Sequence, residues 1–231
     1  MIEKFLTDSV FFGAVISLLA YELGLLIKKK WKLAILNPLL LAVICVMGVL
    51  VIFDIDYDQY NEGAKYISYL LTPATVCLAV PLFEQLTLLK ENLKAVLAGI
   101  ISGVLASLVG ILGMSFLFGF THEQYVTLLP KSITTAIGMG VSEELGGLVT
   151  ITVASIMITG ILGNVIAEGV FKVFKIEHPI AKGLALGTSA HAIGTAKAME
   201  LGEIEGAMSS LAIAVAGLLT VIGASIFAGF L

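Results

Sequence analysis

Hydrophobic positions follow one another in long runs along this chain, without the polar stripe that a helix exposed to water requires. A membrane-spanning helix needs roughly 20 apolar residues, and five uncharged runs approach or exceed that length. A sixth run, residues 9–27, contains only Glu22 as a charged residue. The pattern predicts an all-α polytopic membrane protein with six or more spanning helices. The five uncharged runs are residues 33–53, 66–83, 95–121, 145–167 and 206–231.

Composition strengthens this prediction. Hydrophobic residues make up 58% of the 231 and charged residues 13%, about half the charged fraction of a soluble domain. A soluble helical protein is therefore a poor fit. We expect a single integral membrane domain over residues 1–231, with possible halves at 1–120 and 121–231.

The placement of charge predicts how the chain is oriented. All thirteen basic residues are lysines, and most of them fall in three clusters within residues 28–32, 90–94 and 172–182. By the positive-inside rule these loops are cytoplasmic, whereas the acidic linker 54–62 fits the outer side. The alternation places the N-terminus outside.

Two segments do not fit a simple alternation of spans. Residues 125–144 must enter from the outside and return, or cross as a pair of short half-helices, and residues 183–200 must do the same from the inside. Two irregular elements that enter from opposite faces are typical of transporters built from inverted repeats, with a site near the midplane. We therefore predict two re-entrant or broken helix elements and a possible inverted repeat.

The same segments concentrate polar residues, and irregular polar backbone inside a membrane is tolerated where it lines a cavity or is buried in protein. Pro130 is expected in the first turn of a half-helix, whose free amide groups at residues 131–133 would attract an anion. Thr188 or Ser189 is expected to cap a second half-helix. The candidate substrate-binding residues are Lys131, Ser132, Thr134, Thr135, Thr188, Ser189, His191, Thr195 and Lys197.

Alternatives stay open for two of these residues. On a continuous helix His191 would share a polar face with Thr188 and Thr195, and it could contact substrate or carry a proton. It could equally be a satisfied interior histidine bonded to a carbonyl. Lys197 could contact the ligand or pair with Glu200. Since the chain contains no arginine, a bidentate clamp on a carboxylate is excluded, which favours weak binding of a small anion.

Prolines and glycines are expected to shape the backbone around the site. Gly99, Gly103 and Ser107 recur every four residues, a stripe that lets helices pack closely in lipid, and Gly183 and Gly187 repeat the spacing. Gly138, Gly140, Gly146 and Gly147 are dense enough to predict backbone breaks. The expected helix-break and supporting residues are Asn37, Pro38, Thr72, Pro73, Thr75, Pro130, Gly138, Gly140, Gly187 and Gly194.

Several kinds of chemistry find no support in the sequence. His122, His178 and His191 are far apart, so we expect no metal site and no cofactor. Cys45 and Cys77 lie in apolar runs and suggest no disulfide. No nucleophile and base have the spacing of an enzyme site, so the protein is not expected to be an enzyme.

Five motifs together resemble the LrgB/CidB family, and the likeness extends over nearly the whole chain. They are residues 37–40, 71–82, 129–135, 182–197 and 205–211. The resemblance implies a multi-pass protein of the bacterial inner membrane, partnered by a holin-like protein of the LrgA/CidA type. It implies cargo such as pyruvate, glycolate or glycerate, or control of murein hydrolase export and lysis. Residues 136–140 depart from the family pattern, because many relatives place a proline and fewer glycines there.

Two functions follow as hypotheses. The first is a carrier of small monocarboxylates by alternating access, with a proton or cation as a possible coupling ion. The alternative is an antiholin-like or holin-like regulator that acts through assembly with an LrgA/CidA-type partner, and that would be sensitive along the Gly99–Gly103–Ser107 stripe. Either would be embedded in the lipid bilayer, is expected to form a homo-oligomer, and has no expected nucleic-acid partner.

Overall fold

The computed structural model describes residues 11–31, 36–77 and 79–231, and over these ranges it contains helices and turns but no strand. This confirms the all-α class. The side chains of six further residues are outside the description, so the predicted supporting roles of Thr72 and Thr75 cannot be placed. The six are Leu71, Thr72, Thr75, Ala79, Pro81 and Leu82.

The chain forms two compact units, residues 1–77 and 78–231. This boundary differs from the division at residue 120 suggested by the sequence, and the single integral domain with those halves remains a prediction. The described part of the first unit contains four helices: α1 (Phe12–Trp31), α2 (Pro38–Ile52), α3 (Tyr57–Ser68) and α4 (Leu71–Cys77).

Close backbone contacts hold the first unit together. Gly13 of α1 lies so near the backbone of α3 that a Cβ there would be 2.5 Å from the amide nitrogen of Ala64. Gly24 packs in the same way against Pro38. Asn37 caps α2, since its Oδ1 accepts from the amides of Leu39 (2.8 Å) and Leu40 (3.3 Å). Asn37 and Pro38 therefore begin a helix rather than interrupt one.

The expected third span, residues 65–89, is not one helix. The chain is divided there among α3, α4, α5 (Ala79–Glu84) and α6 (Leu86–Glu91). Proline removes a backbone donor and crowds the preceding turn, which accounts for the end of a helix before Pro73. The acidic linker is also partly helical, because Asp56 caps α3 by accepting from the amide of Asp58 at 2.8 Å.

The second unit contains the long apolar helices. Among the described residues, three segments are long and apolar enough to cross a membrane: Leu93–Phe118, Val149–Val173 and Glu203–Phe230. They correspond to α7 (Leu93–Phe118), α10 (Val149–Val173) and α12 (Glu203–Phe227) with the short 3₁₀ turn Ala228–Phe230. The structure thus supports a membrane protein, while the total of six or more spans remains a prediction.

Residues 122–144 form a helical hairpin, which we call the first hairpin. It consists of α8 (His122–Leu128), a turn, and α9 (Thr135–Glu144). The chain folds back on itself here, because Gly138 of the second arm approaches the carbonyl of Pro130 in the turn, and Gly147, just after that arm, approaches the backbone of Thr127 in the first arm. Thr152 Oγ1 of α10 donates to the carbonyl of Thr127 at 2.8 Å and lies 2.7 Å from Ser142 Oγ, which ties both arms to α10.

Residues 179–201 form the second hairpin, because α11 (Pro179–Leu201) is broken at His191. The residues after the break fold back on those before it. A Cβ at Gly194 would be 2.5 Å from the carbonyl oxygen of Leu186, eight positions earlier. Leu186 and Ala198 also share a buried cluster with Ala167 of α10, so the two arms reach the same level of that helix.

The main core of this unit joins α7 to α12. Buried residues on α7 recur every three or four positions and face small side chains of α12, which allows the helices to approach closely. The face of α7 consists of Val96, Ile100, Val104, Leu108 and Ile111, and the alanines of α12 are Ala207, Ala212, Ala216 and Ala224. This packing fixes α7 as the support on which the hairpins rest.

Candidate functional site

The tips of both hairpins contact the middle of α7. In the first hairpin, Ser132 Oγ lies 3.2 Å from Ser107 Oγ. In the second, Thr188 covers Gly103, where a Cβ would be 2.8 Å from Thr188 Oγ1. Since Gly103 and Ser107 are one helical turn apart, the two tips meet α7 at adjacent levels.

A cavity of about 1130 Å³, which we call the large cavity, leads to this meeting point. It lies among α7, α10 and α11, with Asn92 and His178 near one end and Lys131 and Ser132 at the other. Its polar lining includes Asn92, Ser102, Ser107, Lys131, Ser132, Thr159, Thr188 and Ser189.

The charge around the large cavity favours an anion. Of the described residues that line it, none is acidic, and Lys131 is the only lysine. The ammonium of Lys131 donates to Ser132 Oγ at 3.0 Å.

The hydroxyl groups of the second hairpin are less available. Thr188 Oγ1 donates to the carbonyl of Leu184 at 2.8 Å, and Ser189 Oγ donates to the carbonyl of Ala185 at 2.6 Å. Each would have to give up a bond within its own helix before it could donate to an anion. Lys131 and Ser132 are therefore the better placed donors.

His191 and Thr195 are buried and do not line the large cavity. His191 is 3% exposed, and its Nε2 lies 3.0 Å from the carbonyl oxygen of Ile156. Because a carbonyl only accepts, this bond requires the proton on Nε2. Thr195 Oγ1 donates to the carbonyl of His191 at 3.1 Å and lies 2.7 Å from Ser209 Oγ. This geometry is that of a satisfied interior histidine.

Lys197 also lies outside the cavity lining. Its ammonium is 2.5 Å from a carboxylate oxygen of Glu168 and 3.3 Å from one of Glu200. The pairing with Glu200 that the sequence suggested is confirmed, and Glu168 of α10 is an additional partner. Thr134 and Thr135, at the start of α9, are half-buried and do not line the large cavity.

Several local predictions are wrong. Pro130 lies in the turn before α9, which begins at Thr135, and the amides of Lys131 and Ile133 donate to the carbonyls of Leu128 and Pro130. Thr188 and Ser189 end the first arm of the second hairpin instead of beginning a half-helix. The break at His191 then separates Thr188 from Thr195, so these residues do not share one continuous helical face.

The glycine predictions have a mixed outcome. Gly138 and Gly140 lie within α9 and break nothing, whereas Gly146 has φ of +80° in the turn that follows. Gly187 and Gly194 do serve close approach. A Cβ at Gly187 would be 2.5 Å from the carbonyl oxygen of Ser209 on α12. Gly99 packs against Leu184 of the second hairpin, so the stripe on α7 is used within the chain.

Sequence reasoning missed the part of the site that α7 supplies. Ser107 was interpreted only as a small residue for packing, and Ser102 and Asn92 were not considered. The available signal was spacing, because Ser102 lies three residues after Gly99 and Ser107 four after Gly103 on an otherwise apolar helix. Hydroxyls at these positions follow the stripe that faces the second hairpin.

The fold and the site define a helical membrane protein with a large cavity whose described lining contains no acidic residue. The comparison with protein families goes further: the LrgB-like family model matches residues 17–230, and the chain belongs to this family.

Three similar proteins share one name. The chain is 36% identical over 226 residues to "Antiholin-like protein LrgB" of Bacillus mycoides (strain KBAB4), an alignment that covers 97% of this chain and 98% of that protein. It is 35% identical, with the same coverage, to the proteins of that name from Bacillus cereus (strain B4264) and Bacillus anthracis (strain CDC 684 / NRRL 3495). No solved structure matches the chain.

Proposed function

We propose that this protein carries a small monocarboxylate, of the pyruvate, glycolate or glycerate type, across a bilayer. The observation that best supports the proposal is the large cavity, which has no acidic residue among its described lining and ends at Lys131 and Ser132. A carboxylate there would accept from the ammonium and from a hydroxyl, and charge-assisted bonds of this kind are stronger than neutral ones.

The hairpins supply the architecture that a carrier needs. In this proposal both hairpins are re-entrant and approach α7 from opposite faces of the membrane. Ser132 and Thr188 then bring polar groups to the middle of a helix of 26 residues, whose length of about 39 Å exceeds the hydrocarbon thickness. In this proposal the end of the large cavity at Asn92 and His178 lies on the cytoplasmic side, as the positive-inside rule predicts from the lysine clusters, and the N-terminus lies outside.

The size of the cavity argues for weak selectivity. At about 1130 Å³ it is larger than most small-molecule sites, so a three-carbon acid would keep part of its hydration. Without arginine, recognition depends on a lysine point charge and hydroxyl groups. We therefore propose a carrier for a class of short acids rather than for one compound.

The second candidate is an antiholin-like regulator that acts with an LrgA/CidA-type membrane protein. The names of the relatives favour this candidate over transport. Such a partner would not dock on the Gly99–Gly103 stripe, because Leu184 and Thr188 of the same chain cover it. It would have to contact another face of the protein.

Uptake into proteoliposomes that contain only this protein tests the proposal. Labelled pyruvate, glycolate and glycerate would be offered with and without a pH gradient, to the wild type and to Ser132→Ala. Loss of the hydroxyl should reduce uptake at limiting substrate by about tenfold, because one hydrogen bond to a charged group is lost. Ser225→Ala is the matched control, since Ser225 is exposed and bonds only the carbonyl of Val221 among the described residues.

The same two variants separate the candidates in cells. If transport underlies the cellular role, Ser132→Ala should lose any effect of the wild type on the rate of murein hydrolysis, and Ser225→Ala should keep it. A regulator that acts by assembly would keep that effect in both variants. Wild-type protein that is folded in liposomes but shows no saturable uptake would contradict the carrier proposal.

A further inference from the structure

A second cavity lies on the other half of α7. This small cavity has a volume of about 380 Å³, and its distinctive lining residues are Gly110, Ile111, Met114, Phe118, Phe120 and Leu128. Ala106, Ser107 and Lys131 line both the small and the large cavity. The two cavities therefore meet at one place.

Along α7, the residues that line the large cavity are followed by those that line the small cavity, with one change between the two sets. The lining residues between Asn92 and Gly103 belong only to the large cavity, and those between Gly110 and Phe118 belong only to the small cavity. The change occurs within the turn that contains Ala106 and Ser107. Two pockets thus approach from opposite ends of a membrane-length helix, and the α7 residues that they share lie within one turn.

Two hydrogen bonds lie where the two cavities meet. Ser107 Oγ is 3.2 Å from Ser132 Oγ, and the ammonium of Lys131 donates to Ser132 Oγ at 3.0 Å. Because Ser132 already accepts from Lys131, its own proton is available for Ser107. An ammonium has three donors, and the other two of Lys131 have no partner among the described residues.

We propose that Ser107, Ser132 and Lys131 form one anion-binding gate that is reached from both sides of the membrane. A carboxylate at the gate accepts from the ammonium and from both serine hydroxyls, and so replaces the single Ser107–Ser132 bond by two bonds to a charged group. The empty gate stays closed by that bond, and the anion itself opens it. Ser107 is thereby a specificity-determining residue. The inference rests on the proposed transport function, which it deepens.

Accessibility to a membrane-impermeant reagent tests the position of the gate. In full-length protein with Cys45→Ala and Cys77→Ala, single cysteines would be placed by Ser102→Cys, Ser107→Cys and Met114→Cys. Right-side-out and inside-out vesicles would then be treated with an anionic thiosulfonate. Ser102 lines only the large cavity and Met114 only the small one, so these variants should react in opposite vesicle types.

Ser107→Cys should react in both vesicle types. Reaction in one type only, or none while the reference positions react, would overturn the gate. Reference positions that react from the same side would also overturn it, because the cavities would then not open to opposite sides.

Protection by pyruvate tests the binding part of the gate. Pyruvate at millimolar concentration should slow labelling of Ser107→Cys at least threefold relative to chloride at equal ionic strength, and leave Met114→Cys unchanged. Equal labelling rates in pyruvate and chloride would overturn the binding part. If pyruvate protects Ser107→Cys but proteoliposomes show no uptake, the transport function is wrong and the binding gate stands. If uptake occurs without protection, the transport function stands and the binding gate is wrong.

Discussion

At His191 the backbone adopts φ of 42° and ψ of −135°, a conformation that residues with a Cβ rarely occupy. The surrounding contacts hold it there. The imidazole bonds to the carbonyl of Ile156, and Thr195 donates to the carbonyl of His191 itself. Strained residues of this kind persist where their neighbours fix them and often mark functional positions. We infer that His191 positions the second hairpin instead of contacting the cargo.

Gly160 gives this interpretation a test. A Cβ at Gly160 would be 2.7 Å from His191 Nε2 and 2.8 Å from Ile193 Cδ1, so Gly160→Ala should push the imidazole off the carbonyl of Ile156. We expect a loss of about 1–3 kcal/mol in the free energy of unfolding, from crowding and the lost bond. This loss should appear as a lower thermal unfolding temperature of purified Gly160→Ala in detergent, relative to the wild type.

Gly169→Ala is the control on the same helix, since a Cβ there meets nothing within 4 Å. Alanine is the better helix former, so this variant should unfold at the same or a higher temperature. Equal unfolding temperatures for Gly160→Ala and the wild type would contradict the proposed role of His191.

At the scale of elements, the charge pattern predicted which segments would be irregular but not how they would fold. The lysine clusters at residues 90–94 and 172–182 flank residues 125–144, and the second cluster also precedes residues 183–200. The parity of the spans then required each segment to enter and return, and the hairpins occupy 122–144 and 179–201. The position of the second break was missed. Thr188 and Ser189 resemble helix caps in sequence, yet a hydroxyl can also donate to a carbonyl four residues earlier.

Packing of the second hairpin against α12 gives an element-scale prediction. Gly187→Ala would place a Cβ 2.5 Å from the carbonyl oxygen of Ser209 and 2.7 Å from Cβ of Ala212. Both neighbours are rigid, so the helices must separate, and we expect a loss of about 2 kcal/mol or more in stability. Titration of cysteine-free Gly187→Ala with a mild denaturant in detergent would measure this loss of stability.

The control for this variant is Gly113→Ala on α7, where a Cβ meets nothing within 4 Å. If both alanine variants behaved like the wild type, the first arm of the second hairpin would not pack on α12 as described.

For the whole molecule, length and hydrophobicity were enough to predict a helical membrane protein, and three long apolar helices agree with that. The division into units was not predicted. Pro73 predicted a helix break within the apolar run 66–83, but the run contains no charge that would mark a boundary between units. The α7 side of the site was missed for a related reason. Serine in an apolar helix serves packing or polar contact equally well, and only the position of the hairpin tips distinguishes these roles.

The most direct test of the account is saturable uptake of a labelled short monocarboxylate by purified protein in liposomes, compared between Lys131→Gln and Lys90→Gln. Lys131 is the only lysine in the described lining of the large cavity, whereas Lys90 is exposed on α6. Loss of a charge-assisted bond of about 1.5–3 kcal/mol should lower kcat/KM at least tenfold in Lys131→Gln and leave Lys90→Gln at the wild-type value. Wild-type uptake by Lys131→Gln would contradict a carrier built around Lys131 and Ser132.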